Sequence, residues 1–294
     1  MPANPQPATT VNEKQALVCG LAAILLWSTV ATGFKLGLSV LHVAQLLWLA
    51  VVTSWLVFFT HNLLWGTFRL QREDRWRVVL LGCLNPCAYY LILFAAFERL
   101  PAQIAQPLNY TWAITMAILA VPILKQPLGL RMLAGIVLSY LGVCVLLLTT
   151  GDNAGGWNVT GVCLALLSTV PWACYWLLNT RSTSPPGALM FWSFSSALPL
   201  IGCVCAMGPG WPPLNIQSLA YGAWIGCLEM GVTFLLWQHA LRTTAHAGRM
   251  SQLIFISPFL SLMMIANVLG ESIGPGVVVG LGVIVLGLII TRAG

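Results

Sequence analysis

Charge is what this chain has least of. Only 7% of its 294 residues are Asp, Glu, Lys or Arg, against 59% that are apolar, and so few ionisable groups cannot clothe a soluble globule in a polar surface. Long polar stretches are missing too: the longest linkers, at about residues 65–77, 150–158 and 207–217, leave no room for an inserted soluble domain. The nine cysteines are odd in number and form no CxxC pair, which speaks against zinc or redox chemistry and for buried structural thiols. His42, His61, His239 and His246 are scattered without metal-ligand spacing, so no metal and no cofactor is assigned. There is no GxSxG and no HExxH, and no second acid or histidine deep in an apolar run. An intramembrane enzyme therefore lacks its machinery, and the chain is read as a non-enzyme.

What is present is apolar sequence in runs of membrane-crossing length. A helix needs about 20 apolar residues to cross roughly 30 Å of hydrocarbon. The chain offers ten such runs, at about 16–36, 41–64, 78–97, 102–124, 130–150, 159–179, 187–207, 218–240, 246–269 and 273–291. The fold expected is an all-α integral membrane protein of ten transmembrane helices. Residues 1–15 are polar and Pro-rich, a mobile cytoplasmic tail, and the first run is too long for a cleavable signal. Placing the N-terminus in the cytoplasm puts Lys14, Arg69, Arg72, Arg75, Arg77, Lys125, Arg131, Arg181, Arg242, Arg249 and Arg292 inside and leaves only Lys35 and Arg99 outside. Cationic loops are retained on the cytoplasmic side, so both termini are expected there. The net charge of +6 is accordingly an orientation and lipid-surface signal rather than a nucleic-acid footprint.

The chain also nearly repeats itself. At a shift of 145 residues Trp27 falls on Trp172, Ala95 on Ala240, and Gly129, Gly135 and Gly142 on Gly274, Gly280 and Gly287. The triplet Gly82-Cys83-Leu84 falls on Gly226-Cys227-Leu228 at a shift of 144, which one small insertion explains. Five spans per copy is an odd number, so residues 16–150 and 151–294 are expected to be two inverted five-helix repeats, a plan common among secondary transporters.

Pro86, Pro107, Pro171 and Pro258 fall inside spans 3, 4, 6 and 9. Proline removes a backbone hydrogen bond, and such defects either bend helices for packing or surround a central pathway. Beside them stand polar groups that are costly in hydrocarbon without a partner. Asn85 adjoins Pro86, Tyr89 follows one turn later on the expected same face, and Tyr90 flanks it. By the repeat, Asn85 corresponds to Glu229 and Tyr89 to Thr233. Glu229 is the only carboxylate well inside a span. It is a candidate proton carrier, a partner for a substrate ammonium, or a hydrogen-bonded structural group. Gln103, Gln106 and Asn109 in span 4 and Gln252 in span 9 extend the polar set. Of the 13 tryptophans, several belong to interface belts, but Tyr110, Trp112, Trp172, Tyr175, Trp176 and Phe255 lie deeper, as core packing or as a wall for an aromatic or cationic ligand. Tyr110 and Trp112 map onto Phe255 and Ser257, so that wall is richer on the first half. The glycine-rich spans 5 and 10 read as a scaffold or dimer surface, in a monomer or homodimer, without substrate contacts.

Two five-helix halves, Trp27 and Trp172 in the first helix of each, and the ending Gly270-Glu271-x-x-Gly274 followed by Gly280 and Gly287 resemble the EamA-type carriers of the drug/metabolite transporter superfamily. The run Gln106-Pro107-Leu108-Asn109-Tyr110-Thr111-Trp112, with Asn85-Pro86 and Tyr89-Tyr90, is similar to exporters of aromatic amino acids within that group. The resemblance implies export of aromatic amino acids and related small metabolites across a bacterial inner membrane by alternating access, with Asn85, Tyr89, Tyr90, Tyr110, Trp112, Trp172, Glu229 and Gln252 at the substrate. The alternative is export of other amino acids, drugs or metabolites with proton coupling through Glu229. Gln126 stands where the first half of such proteins usually carries a Glu matching Glu271. Span 2 lacks an arginine many members have, and span 1 lacks the acid on which cation/proton exchange in the small multidrug-resistance relatives depends.

Overall fold

A computed structural model of the chain describes residues 11–124, 129–151, 158–179, 181–246, 250 and 253–292, and among these every regular element is helical. Ten helical segments follow one another: α1 (Glu13–Leu38), α2 (Val43–Leu64), α3 (Arg77–Arg99), α4 (Ala102–Ile123), α5 (Leu130–Thr149), α6 (Val159–Asn179), α7 (Pro186–Met207), α8 (Ile216–Thr243), α9 (Leu253–Leu269) and α10 (Pro275–Ile290). The first eight are long and apolar enough to cross a bilayer, and α9 and α10 are shorter apolar helices. The chain is thus an all-α, multi-pass membrane protein. The segments start where the sequence supplies caps that satisfy orphaned backbone N–H groups. Asn12 accepts from Gln15 N at 3.1 Å, Asn158 from Gly161 N at 2.9 Å and Asn215 from Ser218 N at 2.9 Å. At α2 the His42 ring and the Gln45 side chain cap each other's backbone in a reciprocal box.

Several segments are not regular helices, and the irregularities fall near the middle of the molecule. α3 carries a π turn at Cys83–Ala88 and α8 one at Trp224–Gly231. Gly82 and Gly226 match at a shift of 144 but Ala95 and Ala240 at 145, so the second copy's extra residue falls in the stretch that includes the longer π turn, and such bulges are how a helix absorbs an insertion. α4 breaks at Thr111, and α9 opens with a 3₁₀ turn at Leu253–Ile256 before Pro258. α1 breaks at Thr29 although it has no proline. Pro171 lies in a helix unbroken from Val159 to Asn179, and Pro122 and Pro199 are also inside helices. Of the four expected proline defects, then, the one at Pro171 interrupts nothing.

Packing between the two copies repeats itself. α5 and α10 form the most extensive helix pair and run antiparallel: a Cβ at Gly142 would stand 2.7 Å from Gly280 O and 2.6 Å from Ile284 N, while one at Gly287 would meet Gly135 and Ser139. Glycine at these crossings lets the backbones touch. The triplet glycines dock reciprocally, Gly82 of α3 against Ser193 and Ala197 of α7, and Gly226 of α8 against Ala50 and Thr53 of α2. Trp27 packs on Phe234 with ring centroids 6.3 Å apart, and Trp172 on Tyr89 at 4.4 Å. The repeat partner of Tyr89 in packing is therefore Phe234, one residue beyond the expected Thr233, as the extra residue in α8 requires.

Candidate functional site

Between the two copies lies a cavity of about 420 Å³, within the range of small-molecule sites. The first copy contributes Trp27 and Phe34 from α1, Tyr89 from α3, and Gln106, Asn109, Tyr110 and Trp112 from α4. The second contributes Trp172 and Trp176 from α6, Glu229 and Trp237 from α8, and Ile254 from α9. Among the described residues, none of α5 or α10 lines it. Gln106 and Asn109 stand just before the break at Thr111, and Glu229 stands in the π turn of α8.

Two hydrogen-bonded chains cross the site. The Tyr90 hydroxyl donates to Glu229 Oε1 at 2.9 Å, tying α3 to α8. The Tyr89 hydroxyl donates to Asn109 Oδ1 at 3.2 Å, and Asn109 Nδ2 donates to Ser168 Oγ at 3.1 Å, tying α3 through α4 to α6. Thr115 and Thr169 share a further bond of 2.8 Å. Glu229 is 6% exposed, and its Oε2 has no hydrogen-bond partner. The Trp172 indole N–H is likewise buried and unbonded. Among the lining residues described, Glu229 is the only Asp, Glu, Lys, Arg or His.

Tyr89, Tyr110, Trp112, Trp172 and Glu229, all anticipated from the sequence, line this one space. Tyr90 does not line it but stands behind, fully buried, against Glu229. Asn85 is also fully buried and outside the lining. Its amide makes no hydrogen bond of normal geometry, and the Tyr175 hydroxyl of α6 lies beside it. The expectation that Asn85 and Tyr89 share a face presumed a regular helix. Asn85 instead has φ −144° and ψ 119°, the extended conformation forced on a residue before proline, and this turns it away from the cavity. Tyr90, not Asn85, thus meets Glu229. Gln252 lies outside the described residues. Phe34, Trp237 and Ile254 were not anticipated; Trp237 lies on the regular part of α8, three residues beyond Phe234, but the π turn between it and Glu229 removes the spacing signal that would have linked the two.

At one end of the bundle, Glu271 accepts from the backbone N–H of Ala102 at 2.9 Å and of Gln103 at 3.0 Å, capping α4. Close by, Lys35 Nζ donates to Phe97 O at 2.6 Å, and Phe34 packs on Phe94 and Phe97 at 4.7 and 5.3 Å.

Comparison with known proteins agrees with this architecture. An aromatic amino acid exporter, YddG of Ancylobacter novellus, is 23% identical over 262 residues, 87% of this chain and 89% of that protein. An uncharacterized transporter of Clostridium kluyveri is 25% identical over 229 residues, 76% of this chain and 73% of its own length. A solved crystal structure shares the fold with a TM-score of 0.66 at 20% identity, covering 94% of this chain and 96% of that one. The model of the EamA-like transporter family matches twice, over residues 14–148 and 159–293, once per copy of the repeat, and the chain belongs to that family.

Proposed function

We propose that this membrane transporter exports aromatic amino acids and related small metabolites across a bacterial inner membrane. In this reading residues 16–150 and 151–294 are inverted five-helix repeats, all ten helices cross the bilayer, and the tail of residues 1–15 and the C-terminus are cytoplasmic. The antiparallel pairing of α5 with α10 and the reciprocal docking of Gly82 and Gly226 support an axis in the membrane plane. The observation that carries the substrate class is the cavity itself: about 420 Å³, ringed by Trp27, Tyr89, Tyr110, Trp112 and Trp172. Each ring stacked on the substrate adds about 0.5–1.5 kcal/mol beyond area burial. The helices around the cavity swing in alternating access while α5 and α10, which do not touch it, brace them. In proteoliposomes, Tyr110→Ala, Trp112→Ala and Trp172→Ala should each weaken apparent affinity for phenylalanine and tryptophan about 2- to 10-fold, as the loss of one such contact dictates. Unchanged transport in all three would remove the aromatic reading.

Among the described lining residues Glu229 stands without a histidine or second acid, which supports facilitated diffusion or exchange over strong proton pumping. Its unbonded Oε2 keeps proton coupling as the second reading. Export measured with and without an imposed pH gradient separates them: a rate that follows the gradient and loses that dependence in Glu229→Gln establishes coupling.

A further inference from the structure

Resting on that reading of the cavity, we infer that the site recognises the ring and the ammonium group of its substrate but not the carboxylate, so that aromatic primary amines are carried alongside the amino acids. Glu229 is more than nine-tenths buried, reaches the cavity, and has one oxygen engaged by Tyr90 while Oε2 has no partner. A buried, unbonded carboxylate oxygen is costly until a donor arrives. An ammonium brings three N–H donors and the complementary charge. The surrounding rings add to this, since the faces of tryptophan and tyrosine attract a cation.

Nothing comparable awaits a carboxylate. No Lys, Arg or His is among the described lining residues. The amide of Asn109 is spent at both ends, on Tyr89 and Ser168. The Trp172 indole N–H remains as a neutral donor, while the Gln106 side chain is engaged with Tyr110. Removing the carboxylate therefore costs the substrate little, and removing the ammonium costs it the one charged contact.

The test is competition against tryptophan uptake by the full chain in proteoliposomes, comparing tryptamine, which keeps the ammonium, with 3-indolepropionate, which keeps the carboxylate. Tryptamine should compete at least as well as tryptophan itself, and indolepropionate should need at least about ten times the concentration, the scale of one charge-assisted hydrogen bond. Glu229→Gln should weaken tryptamine at least tenfold while leaving indolepropionate within about twofold. Should that variant fail to fold, the two-ligand comparison on the unaltered chain decides alone. Indolepropionate competing as well as tryptamine, or tryptamine failing while tryptophan is carried, overturns the inference and leaves the aromatic amino acid reading standing. Failure of tryptophan and tryptamine alike overturns both.

Discussion

Single polar groups tie this molecule together at places where the apolar composition offers no substitute. Asp74, in the 3₁₀ turn before α3, accepts from the Ser182 and Ser184 hydroxyls at 2.7 Å each and from Ser184 N at 3.2 Å, and it pairs with Arg77. It thereby clamps the α2–α3 loop to the α6–α7 loop, one from each copy. Burial alone would raise its pKa, but the bonds from Ser184 and Ser182 and the Arg77 guanidinium outweigh it and hold the carboxyl below the usual aspartate value. Because the folded value is the lower one, the stabilisation is complete above the unfolded aspartate pKa of about 4 and is lost as pH falls from there through the folded value. Thermal unfolding in detergent should accordingly show the chain losing stability below about pH 4, with Asp74→Asn flattening that dependence; parallel pH profiles for the two proteins would refute the clamp. Inside the membrane, Tyr90→Phe removes the only donor to Glu229 Oε1 among the described residues. Leaving that oxygen bare should cost about 1–3 kcal/mol, seen as a lower unfolding temperature without any change to the atoms that line the cavity.

Beside the buried aromatic pairs such as Phe58 with Phe194, elements in this fold are held by close backbone approach at glycine. The α5–α10 pair is the plainest case. Gly142→Leu would drive a side chain into the backbone of Gly280 and Ile284, and overpacking of this kind costs about 1–3 kcal/mol. The unfolding temperature should fall while tryptophan, the proposed substrate, still stabilises the protein, since no described residue of either helix lines the cavity; a variant that keeps its stability would show that the pair can separate freely. These glycines were legible in the sequence because they recur at one shift, and most helix ends were legible because apolar runs and caps mark them. The interruptions were not. A π turn at Trp224–Gly231 has no residue signature comparable to proline, and Pro171, which has that signature, leaves α6 unbroken. Asn85 was misplaced for the same reason: its spacing from Tyr89 has meaning only on a regular helix, and the helix is irregular there. The aromatic and acidic residues of the cavity were easier to find, since a buried carboxylate or a deep tryptophan is conspicuous against so apolar a background.

Taken whole, the molecule is asymmetric between its two ends, and the asymmetry bears on transport. In the proposed orientation, Met116, Leu177 and Leu241, which line the cavity, lie toward the cytoplasmic ends of α4, α6 and α8, so the space reaches inward. The opposite end is shut by the Phe34, Phe94 and Phe97 cluster, by Lys35 on Phe97 O, and by Glu271 bonded to the first two N–H groups of α4. The repeat counterpart of Glu271 is Gln126, which lies outside the described residues and lacks the charge that a helix N-terminus favours. In the proposed alternating access the outer contact must break in each cycle, and its strength would then set how much of the population faces outward. Replacing a carboxylate cap costs on the order of 0.5–2 kcal/mol, and this loss falls on the outward-closed state, where the cap exists. Glu271→Gln should then move the equilibrium toward the outward-open form by a factor of about 2–30. Hydrogen–deuterium exchange reads this directly: backbone amides at the start of α4 and the end of α3 should exchange faster in the variant, while those of α5 and α10 keep their protection. Faster exchange spread evenly over all helices would mean that Glu271 merely stabilises the fold, and unchanged exchange at α4 would mean that the outer end is held by its phenylalanines alone.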